Sequence, residues 1–219
     1  MTPLSIDIVS DVVCPWCFIG KRRLERALEL YRARRPDAPA RQVAYHPFEL
    51  NPDVPREGIP RAEYIEKKFG ARGYSAHERL VHAGAQLGIP FAFDRIERQP
   101  NTLAAHALIE RARRSGVQPA VKEALMKAFF VDGRDLTDMA TLVAIATEAG
   151  LDAKEAEAAI ADEELRRGVA DEEEHAKNMG IHGVPFFIFN RRVAVEGAQP
   201  PDVLLEAMLE AEKQPVEER

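Results

Sequence analysis

Strand-like and helix-like patterns alternate along this chain of 219 residues in an order that few folds allow. Near the amino terminus residues 4–9 alternate between apolar and polar side chains, and residues 41–50 predict a second strand. Residues 62–179 carry helical periods, after which strands return at 184–196 around a two-residue turn, Asn190-Arg191, and a last helix follows. Neither end of the chain supplies a complete sheet by itself. We therefore predict an α/β fold whose two ends meet in space, with a large all-helical insertion between them.

The overall composition is typical of a globular protein and excludes several classes. Hydrophobic residues make up 46% of the chain, too many for a disordered protein, whereas the uninterrupted apolar runs are too short to cross a bilayer. The net charge of −6 argues against a nucleic-acid partner, which needs a basic face. The first 11 residues lack the basic start and apolar core of a secretion signal, so we expect a cytoplasmic protein.

The two cysteines of the chain, Cys14 and Cys17, are separated by two residues and indicate where chemistry is expected. In a reducing compartment a structural disulfide across so short a loop adds little stability. The spacing therefore predicts a redox-active pair. Two alternatives are a pair of unreactive core cysteines and a zinc site. For zinc, two thiolates supply half of a tetrahedral shell, and the sequence holds no second Cys-x-x-Cys or His-x-x-x-His pair.

The residues around the pair predict how it works. Pro15 suits the first turn of a helix, where its missing N–H is not needed. Cys14 then falls at the helix N-terminus, where we expect an exposed thiol with a lowered pKa. Cys17 lies one turn further on and is expected to be the more buried thiol, which resolves a mixed disulfide. Trp16 offers an aromatic surface beside the attacked sulfur.

Three histidines are candidate neighbours or ligands. His46 lies just before Pro47 in the second predicted strand and can approach the dithiol if that strand pairs beside the first. His182 precedes the segment Gly183-Val184-Pro185 and is a second candidate neighbour. His106 lies on an apolar helix face, which predicts a partly buried ring with a satisfied hydrogen bond rather than a metal ligand.

Two motifs together resemble the thioredoxin fold: Cys-Pro-Trp-Cys (14–17) after the first strand, and Gly-Val-Pro-Phe (183–186) before the terminal hairpin. Further stretches resemble the FrnE-like branch of the DsbA family, namely HPFELNPD (46–53), NTLAAHALIERA (101–112), FFVDGRDLTD (129–138) and GVPFFIFNRRVAVEGAQP (183–200). This branch is related to 2-hydroxychromene-2-carboxylate isomerases and kappa-class glutathione transferases. The resemblance covers nearly the whole chain. It implies a discontinuous thioredoxin-like domain, residues 1–52 with 178–219, and an inserted helical domain, residues 53–177.

The resemblance also implies roles for individual residues. Cys14 is expected to be the attacking thiol and Cys17 the resolving thiol. Pro185 matches the cis-proline that lies beside the dithiol in this family. The backbone N–H and C=O of Val184 are then free to pair with an extended substrate segment.

The glutathione-using relatives supply further candidates and a contrast. The candidate substrate or glutathione contacts are Pro15, Trp16, Asn51, Val184, Ala198 and Gln199, of which the last four match positions that contact glutathione in those relatives. Gln199 replaces an acidic residue of those relatives. Cys14 replaces a serine that activates the glutathione sulfur there, which argues against isomerase or transferase chemistry.

The predicted function is that of a cytoplasmic thiol–disulfide oxidoreductase acting on a disulfide-containing protein or small molecule. Glutathione or a protein dithiol is expected to recycle it as a co-substrate. We expect no bound cofactor, no metal, and neither nucleic acid nor membrane as a partner, in a monomer or homodimer. Two alternatives stay open: a glutathione-dependent isomerase or transferase acting on an aromatic small molecule, and a non-enzymatic, chaperone-like binder.

Overall fold

A computed structural model of the protein describes residues 3–70 and 73–213. Its amino-terminal part consists of strand β1 (Ser5–Ser10), helix α1 (Pro15–Arg34) and strand β2 (Gln42–Pro47). The two strands are parallel, and α1 connects them. The second strand is shorter than the predicted 41–50. It ends at a proline, which supplies no N–H to a ladder and is tolerated on an edge strand.

The middle of the chain is mainly helical, as predicted. Its elements are β3 (Ile59–Pro60), α2 (Arg61–Phe69), α3 (Gly73–Ala85), β4 (Arg98–Gln99), α4 (Leu103–Arg114), α5 (Gln118–Lys127), α6 (Met139–Glu148), α7 (Ala153–Ala161) and α8 (Glu163–Asn178). A 3₁₀ turn (Phe93–Arg95) precedes β4, and a π-helical turn (Ala128–Asp132) extends α5. Strands β3 and β4 form an antiparallel ladder of two residues each, which is too short for sequence periodicity to indicate.

The carboxy-terminal part returns to the main sheet with β5 (Phe186–Phe189), β6 (Val193–Glu196) and α9 (Pro201–Lys213). The β5–β6 hairpin turns at Asn190 and Arg191, whose φ angles are 50° and 58°. A left-handed conformation at both central residues is the geometry that matches the twist of the flanking strands. The predicted turn at Asn190-Arg191 is present, but Phe189 pairs with Val193, so three residues, 190–192, connect the strands instead of the predicted two.

The main sheet joins the two ends of the chain. Its strand order is β2-β1-β5-β6, with β1–β2 parallel and the other two pairs antiparallel. Ile8 on β1 pairs with Phe187 on β5. Strand β1, from the amino-terminal part, is therefore hydrogen-bonded to the carboxy-terminal hairpin. The predicted meeting of the two ends is confirmed.

Both faces of the sheet are covered by helices. Ile6 and Ile8 on β1 belong to the main core, which includes residues of α1 and α9. Val9 points to the opposite face and packs in a smaller cluster with Phe48 and with Ala176 of α8. The insertion thus closes one face of the sheet through α8. Among the helices described over 3–70 and 73–213, none is both long and apolar enough to cross a membrane.

Candidate active site

The cysteine pair lies where β1 leads into α1. Cys14 is the N-cap residue of this helix, with extended backbone angles, and Pro15 occupies the first helical turn. The N–H of Cys17 donates to the carbonyl oxygen of Cys14 at 3.0 Å, which closes the first turn. No acidic residue lies in this turn, so no carboxylate there repels negative charge on the Cys14 sulfur. Cys14 therefore lies at the positive end of the α1 dipole.

A loop from the other end of the chain lies against this sulfur. The Val184–Pro185 peptide bond is cis. The Sγ atom of Cys14 lies 3.6 Å from the carbonyl oxygen of Val184, although the two residues are 170 positions apart. The fold thus brings together the two segments that the sequence analysis singled out.

Gly20 explains how α1 approaches the loop so closely. A Cβ atom at this position would lie 2.9 Å from Cγ of Pro185 and 3.2 Å from Cζ of Phe187. Real Cβ contacts are rarely this short, so a side chain here would push α1 and the loop apart. The glycine therefore sets the spacing between the dithiol and Pro185.

The burial of the two thiols differs from what the sequence predicted. Cys14 and Cys17 are free thiols, and each is only 3% exposed. The prediction of an exposed Cys14 is wrong because its side chain packs into the main core beneath the Val184 loop. The expectation that Cys17 would be the more buried thiol is wrong as well, since the two are equally covered. Trp16, at 44%, is the exposed side chain between them.

The other candidate contacts lie on segments tied to the dithiol region. The N–H of Gly197 donates to the carbonyl oxygen of Pro185 at 2.8 Å, which holds Ala198 and Gln199 beside the loop. The Ala198 carbonyl accepts a hydrogen bond from Arg23 of α1, whereas Gln199 is exposed and donates to the carbonyl oxygen of Glu196 at 3.0 Å.

Asn51 lies on the segment that follows β2. Its Oδ1 accepts a hydrogen bond from Nζ of Lys68 at 2.7 Å. Its Nδ2 is buried and has no partner in the described part of the chain. The preceding residue, Leu50, is hydrogen-bonded to Asp11, three positions before Cys14. Asn51 therefore holds an unused donor on a segment linked to the dithiol loop.

The histidine hypotheses give a mixed result. Both ring nitrogens of His46 face carboxylates, Asp7 at 2.9 Å and Glu172 at 2.5 Å, so the hypothesis that His46 serves the dithiol is wrong. His182 is exposed. Within residues 3–70 and 73–213, no three His, Cys, Asp or Glu side chains form a group that could hold a metal ion.

Comparison with known proteins gives the family. A profile of the DSBA-like thioredoxin domain matches residues 5–209. The chain belongs to this family. The predicted fold class is confirmed: this DsbA-like protein has a thioredoxin-like fold that carries a helical insertion.

Three relatives of this DsbA-like chain illustrate the range of similarity. The probable DsbA oxidoreductase SCO1869 of Streptomyces coelicolor is 30% identical with a TM-score of 0.87, over 99% of this chain and 93% of that one. The uncharacterized protein YwbO of Bacillus subtilis (strain 168) is 25% identical over 211 residues, 96% of this chain and 98% of YwbO. The cytosolic disulfide reductase DsbM of Pseudomonas aeruginosa, solved with GSH, shares the fold at 21% identity and a TM-score of 0.65, over 95% and 98% of the two chains.

Lys122, on α5 of this DsbA-like protein, is a charged residue that the sequence analysis missed. Its side chain is 1% exposed, and its Nζ donates to the carbonyl oxygen of Ser10 at 3.3 Å. Ser10 is the residue immediately before Asp11. Burial lowers the pKa of Lys122, whereas the negative charges of Cys17, Asp11 and Cys14 act to raise it. Helical periodicity contains the missed signal: Lys122 is four residues after Gln118 and three before Leu125, both buried on the inner face of α5.

Asp11 is the second missed group. It is fully buried, and its carboxylate accepts hydrogen bonds from the backbone N–H of Leu50 at 2.9 Å and of Val13 at 3.4 Å. Nε2 of His106 lies 3.4 Å from Oδ1 of Asp11 but outside hydrogen-bond geometry. The predicted partly buried His106 with a satisfied hydrogen bond is therefore wrong: the ring is 2% exposed and faces a buried carboxylate.

The electrostatics of the two thiols follow from this setting. Burial raises the pKa of the Cys17 thiol well above its usual range, and the hydrogen bond with Cys14 and the charge of Cys14 add to this effect. The positive charge of Lys122 and a backbone hydrogen bond from Asp11 act in the opposite direction. The two cysteines thus differ in their surroundings, with Cys14 at a helix N-terminus and Cys17 as a thiol that resists ionisation.

Proposed function

We propose that this protein is a cytosolic thiol–disulfide oxidoreductase in which Cys14 attacks a substrate disulfide and Cys17 resolves the mixed disulfide. The observation that carries the proposal is the position of the Cys14 sulfur, at the N-terminus of α1 and 3.6 Å from the Val184 carbonyl beside the cis Pro185. A helix N-terminus favours the thiolate, which is the nucleophile in disulfide exchange.

The reaction proceeds in two exchanges. The Cys14 thiolate attacks one sulfur of the substrate disulfide and releases the other as a thiolate. The Cys17 thiol then loses its proton and attacks the Cys14 sulfur, which releases the second substrate thiolate and leaves a Cys14–Cys17 disulfide. Two electrons pass from the protein dithiol to the substrate, and a thiol such as glutathione returns them.

The burial of Cys14 favours an extended or small disulfide over the flat surface of a folded protein. Only 3% of Cys14 is exposed, so a bulky surface does not reach its sulfur. Within the described residues the N–H of Val184 has no hydrogen-bond acceptor, which leaves it available to an extended segment laid along the loop. Trp16, the exposed neighbour of the sulfur, offers an apolar face for the same segment.

Glutathione is the recycling thiol that we propose. The DsbM structure, which shares this fold, contains GSH. Ala198 and Gln199 lie on a segment bonded to Pro185, and Asn51 has an unused buried donor. A tripeptide with two carboxylates, one amine and extended amides suits such a set of backbone and amide partners.

A trapping experiment with glutathione disulfide tests the proposal. Reduced Cys17→Ala protein is mixed with glutathione disulfide and its intact mass is measured. We expect a stable adduct of one glutathione on Cys14, whereas wild type proceeds to the internal disulfide. Cys14→Ser is the matched control and forms neither product, because the thiol that remains, Cys17, is buried and resists ionisation.

Turnover separates this function from the alternatives. Wild type is expected to reduce an aromatic disulfide with glutathione as the electron source, and Cys14→Ser is expected to lose this activity. If Cys14→Ser instead gains or keeps glutathione-dependent isomerisation or conjugation of an aromatic substrate, the protein is an isomerase or transferase. If the Cys17→Ala protein forms no mixed disulfide and wild type forms no internal disulfide, the protein is a binder without redox chemistry.

A further inference from the structure

Lys122 is a buried ionisable group for which the two exchanges above leave no task. Its side chain is 1% exposed, and its Nζ has one hydrogen-bond acceptor in the described part of the chain, the carbonyl oxygen of Ser10 at 3.3 Å. A lysine buried in this way is costly unless a negative charge compensates it. The candidates for this negative charge are the carboxylate of Asp11 and the thiolates of the dithiol.

The carboxylate of Asp11 does not by itself compensate the charge of Lys122. This carboxylate already accepts two backbone hydrogen bonds and faces His106 at 3.4 Å. No carboxylate oxygen lies within ion-pair distance of Lys122 Nζ among residues 3–70 and 73–213. The neighbouring acid on α5, Glu123, is paired with Lys21 and Arg22 of α1.

The dithiol is the remaining partner, because α5 lies against the helix that carries it: Lys122 donates to Ser10, and the adjacent Glu123 pairs with Lys21 and Arg22, one turn after Cys17. The charges that favour protonated Lys122 are, in decreasing order, those of Cys17, Asp11 and Cys14. In the opposite direction, Lys122 is the cation that eases ionisation of Cys17. The other titratable groups that face this cluster are His106 on α4 and Glu49, which interact with Asp11, and the buried Tyr45 on β2, which interacts with Cys17. None of them is a lysine or an arginine, so Lys122 is the cation that acts on Cys17.

We propose that Lys122, supplied by the inserted helical domain, acts through Cys17 by stabilising the thiolate that this buried residue must form in the resolving step. This inference rests on the proposed function and deepens it. A fixed ammonium group inside the protein is not screened by salt and needs no reorganisation when charge develops on the sulfur. Attack by Cys14 takes place at the N-terminus of α1 and depends less on Lys122, because the interaction between Lys122 and Cys14 is the weakest of the three.

The step balances in atoms and electrons. In the mixed disulfide, Cys17 loses its thiol proton to the solvent as its thiolate forms opposite the Lys122 ammonium. The thiolate attacks the Cys14 sulfur, a Cys14–Cys17 bond forms, the bond between Cys14 and the substrate sulfur breaks, and the substrate leaves as a thiolate. The substrate disulfide is the oxidant, and the ammonium of Lys122 keeps its proton throughout.

The two exchanges can be timed separately in one experiment. Reduced protein is mixed in a stopped-flow instrument with excess dithiobis(nitrobenzoate), an aromatic disulfide whose released thiolate is coloured. Attack by Cys14 releases the first coloured thiolate at a rate proportional to reagent concentration. Resolution by Cys17 releases the second at a rate that does not depend on reagent concentration, because the reaction is intramolecular.

The decisive variant is Lys122→Met, which retains the apolar stem and removes the charge. We expect the first phase to keep its rate within about twofold and the second to slow by about tenfold. A nearby opposite charge is worth roughly ten- to hundredfold in thiolate fraction, and the higher intrinsic nucleophilicity of a more basic thiolate recovers part of that loss. Removal of a buried charge with an apolar replacement of similar volume is usually tolerated by the fold.

Two further variants separate charge from structure. Lys122→Arg keeps a cation and is expected to retain most of the second-phase rate. Lys127→Met removes an exposed lysine of the same helix, paired with Asp132, and is expected to change neither phase. In Lys122→Met the pH profile of the second phase is expected to move upward, whereas a loosened core admits water to Cys17 and moves it downward.

The outcomes distinguish this inference from the function it rests on. If wild type shows no first phase, or if Cys14→Ser keeps one, the proposed function fails. If the first phase is present and the second phase of Lys122→Met is unchanged, or slows without the upward shift of its pH profile, Lys122 has no role in resolution. If Lys122→Met does not fold, Lys122→Gln replaces it, under the same criteria.

Discussion

Asp11 shows how much a single buried carboxylate supports at the start of the dithiol helix. It is fully buried, and it accepts the N–H groups of Val13 and Leu50, which belong to two different loops. Burial by itself raises the pKa of a carboxyl group, but His106 and the Leu50 N–H hold the pKa of Asp11 below its usual range. Asp11 therefore remains ionised in the folded state.

Replacement of Asp11 by asparagine is expected to destabilise the protein. Asp11→Asn keeps the shape but removes the charge and one acceptor, so we expect the free energy of unfolding at neutral pH to fall by about 3 kcal/mol. Because the folded-state pKa is depressed, the stabilisation is present above the unfolded pKa of about 4 and is lost as the pH falls through the lower folded value. Urea unfolding of wild type and of Asp11→Asn, at neutral and at acidic pH, measures this loss of stability.

The control for this substitution is Asp37→Asn, at an exposed position. We expect it to change the free energy of unfolding by less than about 0.5 kcal/mol. If Asp11→Asn is as stable as Asp37→Asn at neutral pH, the charge of Asp11 contributes nothing. The gap between the two variants is expected to narrow in acid, where the native carboxylate is protonated.

At the scale of secondary-structure elements, two helical glycines have opposite consequences. Gly168 lies on an exposed face of α8, and a Cβ there would meet no atom within 4 Å. Gly20 lies on α1, where a Cβ would stand 2.9 Å from Pro185. Alanine at Gly168 removes backbone freedom from the unfolded chain at no steric cost, whereas alanine at Gly20 forces α1 away from the cis-proline loop.

The expected changes therefore differ in sign. We expect Gly168→Ala to raise the free energy of unfolding by about 0.5–1 kcal/mol and Gly20→Ala to lower it by about 1–3 kcal/mol. Gly20→Ala is also expected to slow attack by Cys14, because the Val184 carbonyl next to its sulfur is displaced. Chemical denaturation and the first phase of the disulfide assay measure these effects. Equal stabilisation by both alanines would contradict the close approach of α1 to Pro185.

Sequence periodicity predicted most elements, and the ones it missed share a physical cause. The strand of alternating residues at 4–9, the helices of the insertion and the turn at Asn190-Arg191 depend on local patterns, which a single sequence contains. The β3–β4 ladder, two residues on each strand, depends on contacts between residues about 40 positions apart. Local patterns carry no such information, so the ladder appears only in the structure.

The same distinction explains what could be predicted of the candidate site as a whole. Spacing and the proline placed Cys14 at a helix N-terminus, and the resemblance paired it with Pro185. The burial of Cys14 could not be predicted, because it depends on the loop at Val184 closing over the sulfur from the far end of the chain. Lys122 was missed because a charged residue is normally expected on the exposed face of a helix.

The association of the inserted helices with the sheet depends in part on one charged histidine. His46 on β2 faces Asp7 on β1 through Nε2 and Glu172 on α8 through Nδ1. A ring between two carboxylates donates to both only when both nitrogens carry protons. Burial works against the charged ring, but these hydrogen bonds prevail and raise the pKa of His46 to about 9.

The pH dependence of unfolding follows from this raised value. An unfolded histidine has a pKa of about 6.5, so the stabilisation is fully present below about pH 6.5 and is lost as the pH rises through about 9. We expect His46→Gln to lower the free energy of unfolding by about 2 kcal/mol near pH 6, allowing for the partial exposure of the ring, and by little near pH 10. Urea unfolding of both proteins at the two pH values measures this difference.

His82→Gln is the matched control, since His82 is exposed and contacts Gln86 rather than a carboxylate. Its effect on the free energy of unfolding is expected to be small and the same at both pH values. A difference between wild type and His46→Gln that persists undiminished at high pH would mean that packing of the ring, and not its charge, joins α8 to the sheet. A difference that vanishes as the ring loses its proton identifies the imidazolium as the link between the insertion and the thioredoxin-like part of the molecule.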